Sequence, residues 1–287
     1  MSRVKEGTAM KKLITNYFVR FIISVLLACS LISCSNRGTQ PLSITEEKNI
    51  PESSDDEKSA EINDNGNSTS AVSYAVGDII LADGSVEKAT NFVAIDKENI
   101  PIAVIACFRK DGKALGVGVH RSDSPLQWAA DGSAGYAAKF VDTVCTQNSD
   151  LIFDGDIDGS DNWEVMLSQD ESGLADGEKN YPAFHFVNTY ADIYNITGVY
   201  ASGWYMPSVV ELDNIYENRK KVNSSLKKIY TLDSNAAMNG LDTNWYWSSS
   251  QAGSEDEYAW FIHYFNGYAG ECPKNFTNVH VLAVRAF

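Results

Sequence analysis

Residues 35–72 contain no aromatic side chain, and this absence limits where a chain of 287 residues can build a core. The stretch is rich in Ser, Asn, Asp and Glu, so it cannot bury enough apolar surface to offset the entropy lost on ordering. We therefore expect residues 35–72 to be a disordered acidic tether. Residues 73–287 contain aromatic and apolar residues throughout and are expected to form one domain.

An apolar run at residues 21–28 precedes the tether and follows several basic residues. The run is shorter than the ~20 apolar residues that a membrane-spanning helix needs, which favours a signal peptide. The sequence LISC at residues 31–34 resembles a bacterial lipobox. We expect residues 1–34 to be a lipoprotein signal peptide and Cys34 to be lipidated, giving an exported protein anchored at the outer surface of the bacterium. A cleaved signal peptide with an incidental Cys is the alternative.

The chain is acidic, with 23 basic residues against 38 acidic ones and a net charge of −15. Such a charge opposes binding to nucleic acid and other polyanions. We therefore expect no nucleic-acid partner, and we expect a monomer that contacts the membrane only through its lipid. No CxxC pair or cluster of His and Cys indicates a metal or cofactor. A disulfide between Cys107 and Cys145 is an alternative that we do not favour, because Cys107 lies in an apolar run.

The order of local patterns predicts an α+β domain. Asp83 and Gly84 separate two apolar runs, which is typical of a hairpin turn. The apolar run at residues 101–108 predicts a buried strand. Ser208 and Glu211 form a capping-box pattern that predicts a helix extending to about residue 220, with a further helix capped at residue 223 or 224. After residue 240 the pattern indicates only strands and loops.

An acidic cluster resembles the opening of a calcium-binding loop. Asp154, Asp156 and Asp158 have the spacing of that loop, in which the twelfth position normally supplies a bidentate Glu. Here the twelfth position is Val165. We therefore favour an acidic turn before a helix that begins at Asn162, and assign no metal; calcium binding by the three aspartates is the alternative.

Three motifs occur in order in the second half of the chain. They are GWYMPS at residues 203–208, YWSSS at residues 246–250 and VRAF at residues 284–287. Together they resemble the signatures of a bacterial domain family with the C-type lectin fold, related to the formylglycine-generating (sulfatase-modifying) proteins. The resemblance implies an α+β, C-type lectin-like domain over residues 73–287, with short antiparallel strands and a few helices.

The C-terminal segment, about residues 245–287, is similar to the variable proteins of diversity-generating retroelements, and in particular to the treponemal type. In that class a template rich in AAC codons is copied with adenine mutagenesis into the C-terminal coding segment. The resemblance implies a diversified face that binds a protein or peptide ligand. Codons derived from AAC never encode Met, Trp, Gln, Lys or Glu, so Trp245 and Glu271 would be fixed positions.

Strand periodicity separates two sets of side chains near the start of this segment. Trp260, Ile262 and Tyr264 are expected in the core, whereas Phe261, His263 and Phe265 are expected to point outward. Large aromatic residues at outward positions indicate a binding surface; a strand buried on both sides is the alternative. The predicted variable face consists of Trp245, Tyr246, Phe261, His263, Phe265, Tyr268, Ala269, Gly270, Cys272, Phe276, Val279, His280 and Leu282. Its aromatic and histidine members are expected to form one exposed patch.

Enzymatic members of the wider superfamily use a pair of C-terminal cysteines as copper ligands, whereas this region contains only Cys272. We therefore expect no enzyme activity and no cofactor. The calcium-dependent sugar motifs of animal lectins are also missing, and a lectin fold does not imply sugar binding. The expected protein is a surface lipoprotein that binds ligands. An extracellular enzyme of the formylglycine-generating group and a non-binding structural envelope lipoprotein are the alternatives.

Overall fold

The structure is a computed structural model that describes residues 73–149 and 152–287. The chain divides into two units, residues 1–66 and 67–287, and every described residue belongs to the second. The predicted signal peptide and tether, with the lipidated Cys34, lie outside the described residues. No helix among the described residues is long and apolar enough to cross a membrane.

Within the described residues, ten strands form two five-stranded sheets, with the order β10-β4-β3-β1-β2 in the first and β6-β5-β7-β8-β9 in the second. The strands are β1 (Ile79–Leu81), β2 (Val86–Glu87), β3 (Pro101–Phe108), β4 (Ala114–Arg121), β5 (Val144–Gln147), β6 (Phe153–Gly155), β7 (Trp245–Ala252), β8 (Tyr258–His263), β9 (Tyr268–Pro273) and β10 (Leu282–Ala286). All pairs are antiparallel except β5 with β7.

The first sheet confirms two local predictions. Gly84 has a φ of +87° in the turn that joins β1 to β2, a conformation that side chains with a Cβ rarely adopt. Strand β3 is buried at every position except Phe108, as its apolar run predicts. The chain returns to this sheet at its end, where β10 pairs with β4 and Val284 also bridges to Tyr205.

The helices lie between the two groups of strands in the sequence. They are α1 (Asn162–Gln169), α2 (Gly177–Asn180), α3 (Pro182–Asn188), α4 (Tyr190–Ile193), α5 (Val209–Glu217) and α6 (Arg219–Leu232), with short 3-10 turns at Val141–Thr143, Glu171–Leu174 and Gly198–Tyr200. The described residues therefore form a mixed α+β domain with two mainly antiparallel sheets and a few helices, which confirms the predicted class at this level.

The capping box at the start of α5 is present. The Ser208 hydroxyl accepts a hydrogen bond from the Glu211 amide at 3.2 Å, and the Glu211 carboxylate accepts one from the Ser208 amide at 3.0 Å. The predicted end of this helix near residue 220 is wrong, because the helix breaks at Asn218, whose side chain donates to the Asn214 carbonyl. The predicted cap at residue 223 or 224 is also wrong, since Asn223 lies inside α6.

The core has two layers, one on each face of the sheets. Helices α5 and α6 cover one face, with Leu212, Ile215 and Leu226 packed against the strands. On the other face, α3 and α4 pack with Trp128 and Phe140 from the long connection between β4 and β5. Burying these large apolar side chains stabilises the fold by roughly 1.5–3 kcal/mol each.

The three cysteines of the described residues, Cys107, Cys145 and Cys272, are buried free thiols. The described residues contain no disulfide between Cys107 and Cys145. Burial raises the pKa of each of these two thiols to about 12, which keeps them protonated at neutral pH.

Candidate functional site

Five partly or fully exposed rings gather at one end of the second sheet, and we call this surface the aromatic face. It consists of Trp245, His263, Phe265, Tyr268 and Phe276. Trp245 is paired with His263 across β7 and β8, and His263 with Tyr268 across β8 and β9, so these three side chains point to the same side of the sheet. The face is thus a product of strand register.

Trp245 is the central ring of the aromatic face. Its ring stacks on that of the buried Phe261, with ring centroids 4.8 Å apart and planes 3° apart. The rings of His263, at 5.3 Å and 55°, and Phe276, at 6.4 Å and 36°, are tilted beside it. The stack therefore connects the exposed rings of the face to the core beneath them.

The β8–β9 hairpin carries the two most exposed rings, Phe265 at 73% and Tyr268 at 60%. The turn of this hairpin is held against α5, because the buried Tyr264 hydroxyl donates to the Leu212 carbonyl of that helix at 2.6 Å. Gly267 has a φ of +74°, and a Cβ there would lie 2.4 Å from the Tyr216 ring, so only glycine fits. The exposed rings are therefore displayed on a rigid support.

Several residues of the predicted face are buried, and their expected exposure is wrong. The exposed fraction is at most 4% for Tyr246, Phe261, Cys272, Val279 and Leu282. Tyr246 and Leu282 face the core layer of α5 and α6. Phe261, Cys272 and Val279 face the other layer, where a covering segment that local patterns do not reveal buries them. The Trp247 indole donates to the Leu126 carbonyl, and residues 126–129 are hydrogen-bonded to residues 274–279, so this double layer covers the middle of the sheet.

Three further members of the predicted face do not contribute an exposed side chain to it. Gly270 is buried, and a Cβ there would lie 2.7 Å from the Tyr268 ring and 2.9 Å from the Phe261 ring. Ala269 is paired with Ile262 and packs against the core layer of α5 and α6. His280 is bridged to Tyr246, whose side chain faces the core layer of α5 and α6, so His280 lies on the side opposite the aromatic face. Its Nδ1 is 2.9 Å from the Ser122 carbonyl oxygen.

The alternation predicted for β8 is thus correct for the core set, whereas the exposure of the outward set increases along the strand. Trp260, Ile262 and Tyr264 are in the core, with exposed fractions of 5%, 0% and 0%. On the opposite side, Phe261 is buried, His263 is half-buried, and Phe265 is exposed. The surface therefore opens only toward the hairpin end of the strand.

A second polar site, which sequence patterns did not predict, lies beside the start of α5. The Glu211 carboxylate accepts hydrogen bonds from the Tyr205 hydroxyl at 2.7 Å and from the amides of Ser208 and Gly159 at 3.0 and 3.1 Å. Burial raises the pKa of Glu211 to about 7, while these hydrogen bonds oppose that rise. The capping pattern identified Glu211 and its partner Ser208, but it could not show the hydrogen bonds from Tyr205 and from the distant Gly159.

A cavity of about 350 Å³ opens beside this carboxylate, lined in part by Arg109 and Asp158. The Arg109 guanidinium pairs with Asp158 and donates to the Tyr205 hydroxyl at 3.0 Å. Because these groups are already paired with one another, we interpret the cluster as a structural junction that fixes the start of α5.

The acidic loop is attached to the rest of the domain by side-chain hydrogen bonds. Asn162, the first residue of α1 as predicted, donates to Asp156 at 2.6 Å and to the Ser249 hydroxyl at 2.8 Å. Ser250 donates to Asp156 at 3.2 Å, and Asp158 pairs with Arg109. Across residues 73–149 and 152–287, no group of three or more His, Cys, Asp or Glu residues could hold a metal ion.

Comparison with known proteins gives a fold but no family. No family model matches the chain, and no curated protein matches it. A fimbrial protein from Bacteroides ovatus ATCC 8483, known from a crystal structure, is similar with a TM-score of 0.52 and 16% sequence identity. The match covers 75% of this chain and 49% of that protein, so the chain corresponds to about half the length of the fimbrial protein. At this identity the similarity shows a shared fold alone.

Proposed function

We propose that this protein is a surface-displayed, lipid-anchored ligand-binding protein whose aromatic face binds a protein or peptide. The observation that carries the proposal is the cluster of solvent-accessible rings at the open end of the second sheet. Aromatic side chains provide large contact areas with few rotatable bonds and are enriched among the residues that dominate binding energy. An acidic chain with such a face favours a protein ligand over a polyanion.

The proposed domain type is a C-type lectin-like domain of the variable-protein class. The motifs support it by their positions: YWSSS lies in β7, where its serines fasten the acidic loop, and GWYMPS leads into α5. Burial restricts the proposed variable positions, because substitutions usually change stability least where the side chain is at least partly exposed. We propose that His263, Phe265, Tyr268 and Phe276 are variable positions and that Trp245 is a fixed position.

The proposed location rests on residues 1–34 and on the fimbrial protein that shares the fold. One acyl chain gives marginal membrane binding, whereas two or more give stable attachment, so a lipidated Cys34 would hold the protein on the membrane. Membrane fractionation of Cys34→Ala tests this part; a variant that stays in the membrane fraction would remove the lipid anchor from the proposal.

Binding by the aromatic face can be measured without knowing the natural ligand. Peptides are selected from a random displayed library on the protein, and their affinities are compared with those for a Phe265→Ser/Tyr268→Ser variant. We expect selected peptides to bind this variant about tenfold or more weakly, because each ring contributes contact area that Ser cannot replace. Both rings are exposed, so the melting temperature should stay nearly unchanged.

A matched control uses two equally exposed apolar residues on other elements, Leu174 at 72% and Val199 at 76%. The Leu174→Ser/Val199→Ser variant should bind the selected peptides as well as the unmodified protein does. Peptides that bind both double variants with unchanged affinity would show that the aromatic face is not the binding surface.

The retroelement assignment has a separate test in DNA. The genome should contain a near-copy of the codons for about residues 245–287, differing mainly at adenines. The differences should fall at the codons of His263, Phe265, Tyr268 and Phe276, where the template should read AAC. A complete genome without such a copy would refute the diversification, while the binding proposal would stand on its own measurement.

A further inference from the structure

A cavity of about 470 Å³ lies at the end of β4. It is lined by Arg121, the last residue of β4, by Tyr194, which follows α4, and by Tyr230 of α6. The loop after α6 forms a further wall, and it is held against β4 because the Met238 amide donates to the Val119 carbonyl at 2.8 Å. None of the five rings of the aromatic face lines this cavity, so the two sites are separate.

Arg121 differs from the other arginines of the described residues in having an unpaired guanidinium. The other three, Arg109, Arg219 and Arg285, all donate hydrogen bonds to acceptors of the protein. For Arg121, the described part of the chain supplies neither a hydrogen bond to the guanidinium nor an ion pair, and its Nε is buried without an acceptor. Burying a polar donor without a hydrogen bond costs free energy. Arg121 therefore places in the cavity wall a charge that the fold does not neutralise.

The charge balance of the cavity is simple. Arg121 is the only cation among the lining residues and the exposed Asp123 is the only carboxylate, and the structure shows no ion pair between them. His120 also lines the cavity, but burial lowers the pKa of His120 to about 4, so its ring is neutral at pH 7. Burial raises the pKa of the Tyr194 hydroxyl to about 12; Asp123 adds to this rise and Arg121 opposes it. Both charges therefore act on a hydroxyl that belongs to the cavity wall.

We propose that this cavity binds a singly charged carboxylate through the guanidinium of Arg121. A planar guanidinium donates two parallel hydrogen bonds to a carboxylate, which supplies the acceptors that the chain does not. One unpaired cation near one exposed carboxylate suits a ligand with a single negative charge, whereas a phosphate dianion would leave excess negative charge. The side chains of Tyr230 and Asn239, which line the same cavity, can donate to other oxygens of the ligand. This site is independent of the binding function proposed for the aromatic face.

The test compares acids with amides of nearly the same shape. The probes are propionate with propionamide, which represent a free organic acid, and N-acetylalanine with N-acetylalaninamide, which represent the C-terminus of a peptide. Binding to the purified, ¹⁵N-labelled full chain is followed by NMR at the backbone amides of residues 119–123 and 234–239. We expect at least one acid to bind about tenfold or more tightly than its amide, because a hydrogen bond to a charged group is stronger than one between neutral groups.

Three variants locate the effect. Arg121→Gln should remove the preference for the acid, and its melting temperature should not fall, because the guanidinium bonds to no described residue. Arg219→Gln is the matched control, since it changes the net charge equally at a partly buried arginine that does not line the cavity, and it should retain the preference. Asp123→Asn removes the neighbouring negative charge and should tighten binding of the acid by up to about fivefold.

The outcomes decide both the site and the source of the carboxylate. Propionate that binds as tightly as N-acetylalanine would indicate a free organic acid, whereas tighter binding of N-acetylalanine would indicate a peptide C-terminus. Acids and amides that bind equally, a preference for the acid that Arg121→Gln retains, or weaker binding of the acid by Asp123→Asn would overturn the carboxylate site. The Phe265→Ser/Tyr268→Ser variant should bind the acids unchanged, so a failure of either proposal leaves the other to its own measurement.

Discussion

Replacing Lys274 by Met is expected to lower the free energy of unfolding by about 3–5 kcal/mol, because several buried carbonyl groups lose their hydrogen-bond donor. The Lys274 amine donates to the carbonyls of Gly135, Ala138 and Asp256 at 2.7–2.9 Å and to that of Tyr136 at 3.2 Å. Met fills a similar volume but donates no hydrogen bond, so these buried acceptors lose their partner, and each such loss costs about 1–3 kcal/mol.

Chemical denaturation at pH 6 measures this effect under suitable conditions. Burial lowers the pKa of Lys274 to about 7, and Asp256 and Glu257 oppose that shift, so the amine is protonated at pH 6 and can donate all its hydrogens. The control is Lys139→Met, which removes the partly exposed ion pair with Asp256 and a long, exposed hydrogen bond to the Gly253 carbonyl, and should cost less than about 1 kcal/mol. A similar loss for both variants would contradict the structural role of Lys274.

The second large effect concerns a residue that strand alternation places on the outside. Phe261→Ser should destabilise the domain by about 3–5 kcal/mol, as truncation of a buried Phe usually does. Its ring is 4% exposed and lies between the ring of Trp245, stacked at 4.8 Å, and that of Trp247, in edge contact at 6.5 Å. Removing the Phe261 ring leaves a cavity beneath the aromatic face.

Phe265→Ser on the same side of the chain provides the comparison. This ring is 73% exposed, so its loss should change the free energy of unfolding by no more than about 0.5 kcal/mol. Thermal and chemical unfolding of the two single variants would show the contrast directly. A Phe261→Ser variant as stable as Phe265→Ser would mean that the covering segment of residues 126–129 does not protect the middle of the sheet.

Local patterns predicted the parts of this fold that depend on neighbours in the sequence. The alternation in β8 identified Trp260, Ile262 and Tyr264 as core because period two is a property of any strand. The capping box located the start of α5 for the same reason, since both of its partners lie within one turn. The apolar run of residues 101–108 marked β3, which is buried on both faces.

The extent of the exposed surface could not be predicted in this way, because it depends on contacts between distant parts of the chain. The indole of Trp247 meets the carbonyl of Leu126, 121 positions away in the sequence, and this contact belongs to the layer that buries Phe261. His280 was assigned to the face by its residue type, but its bridge to Tyr246 places it on the opposite side. Residue type and spacing carry no information about such coverage.

The return of β10 to the first sheet has a consequence for biogenesis. Strand β10 pairs with β4, yet residues 122–281, including the whole second sheet, separate the two in the chain. Pairing over so long a separation is slow, and it cannot be completed before residues 282–286 have been synthesised. A nascent chain therefore lacks its completed first sheet until β10 emerges. The first sheet begins earlier in the sequence than the second, yet it is completed only after every strand of the second has been synthesised.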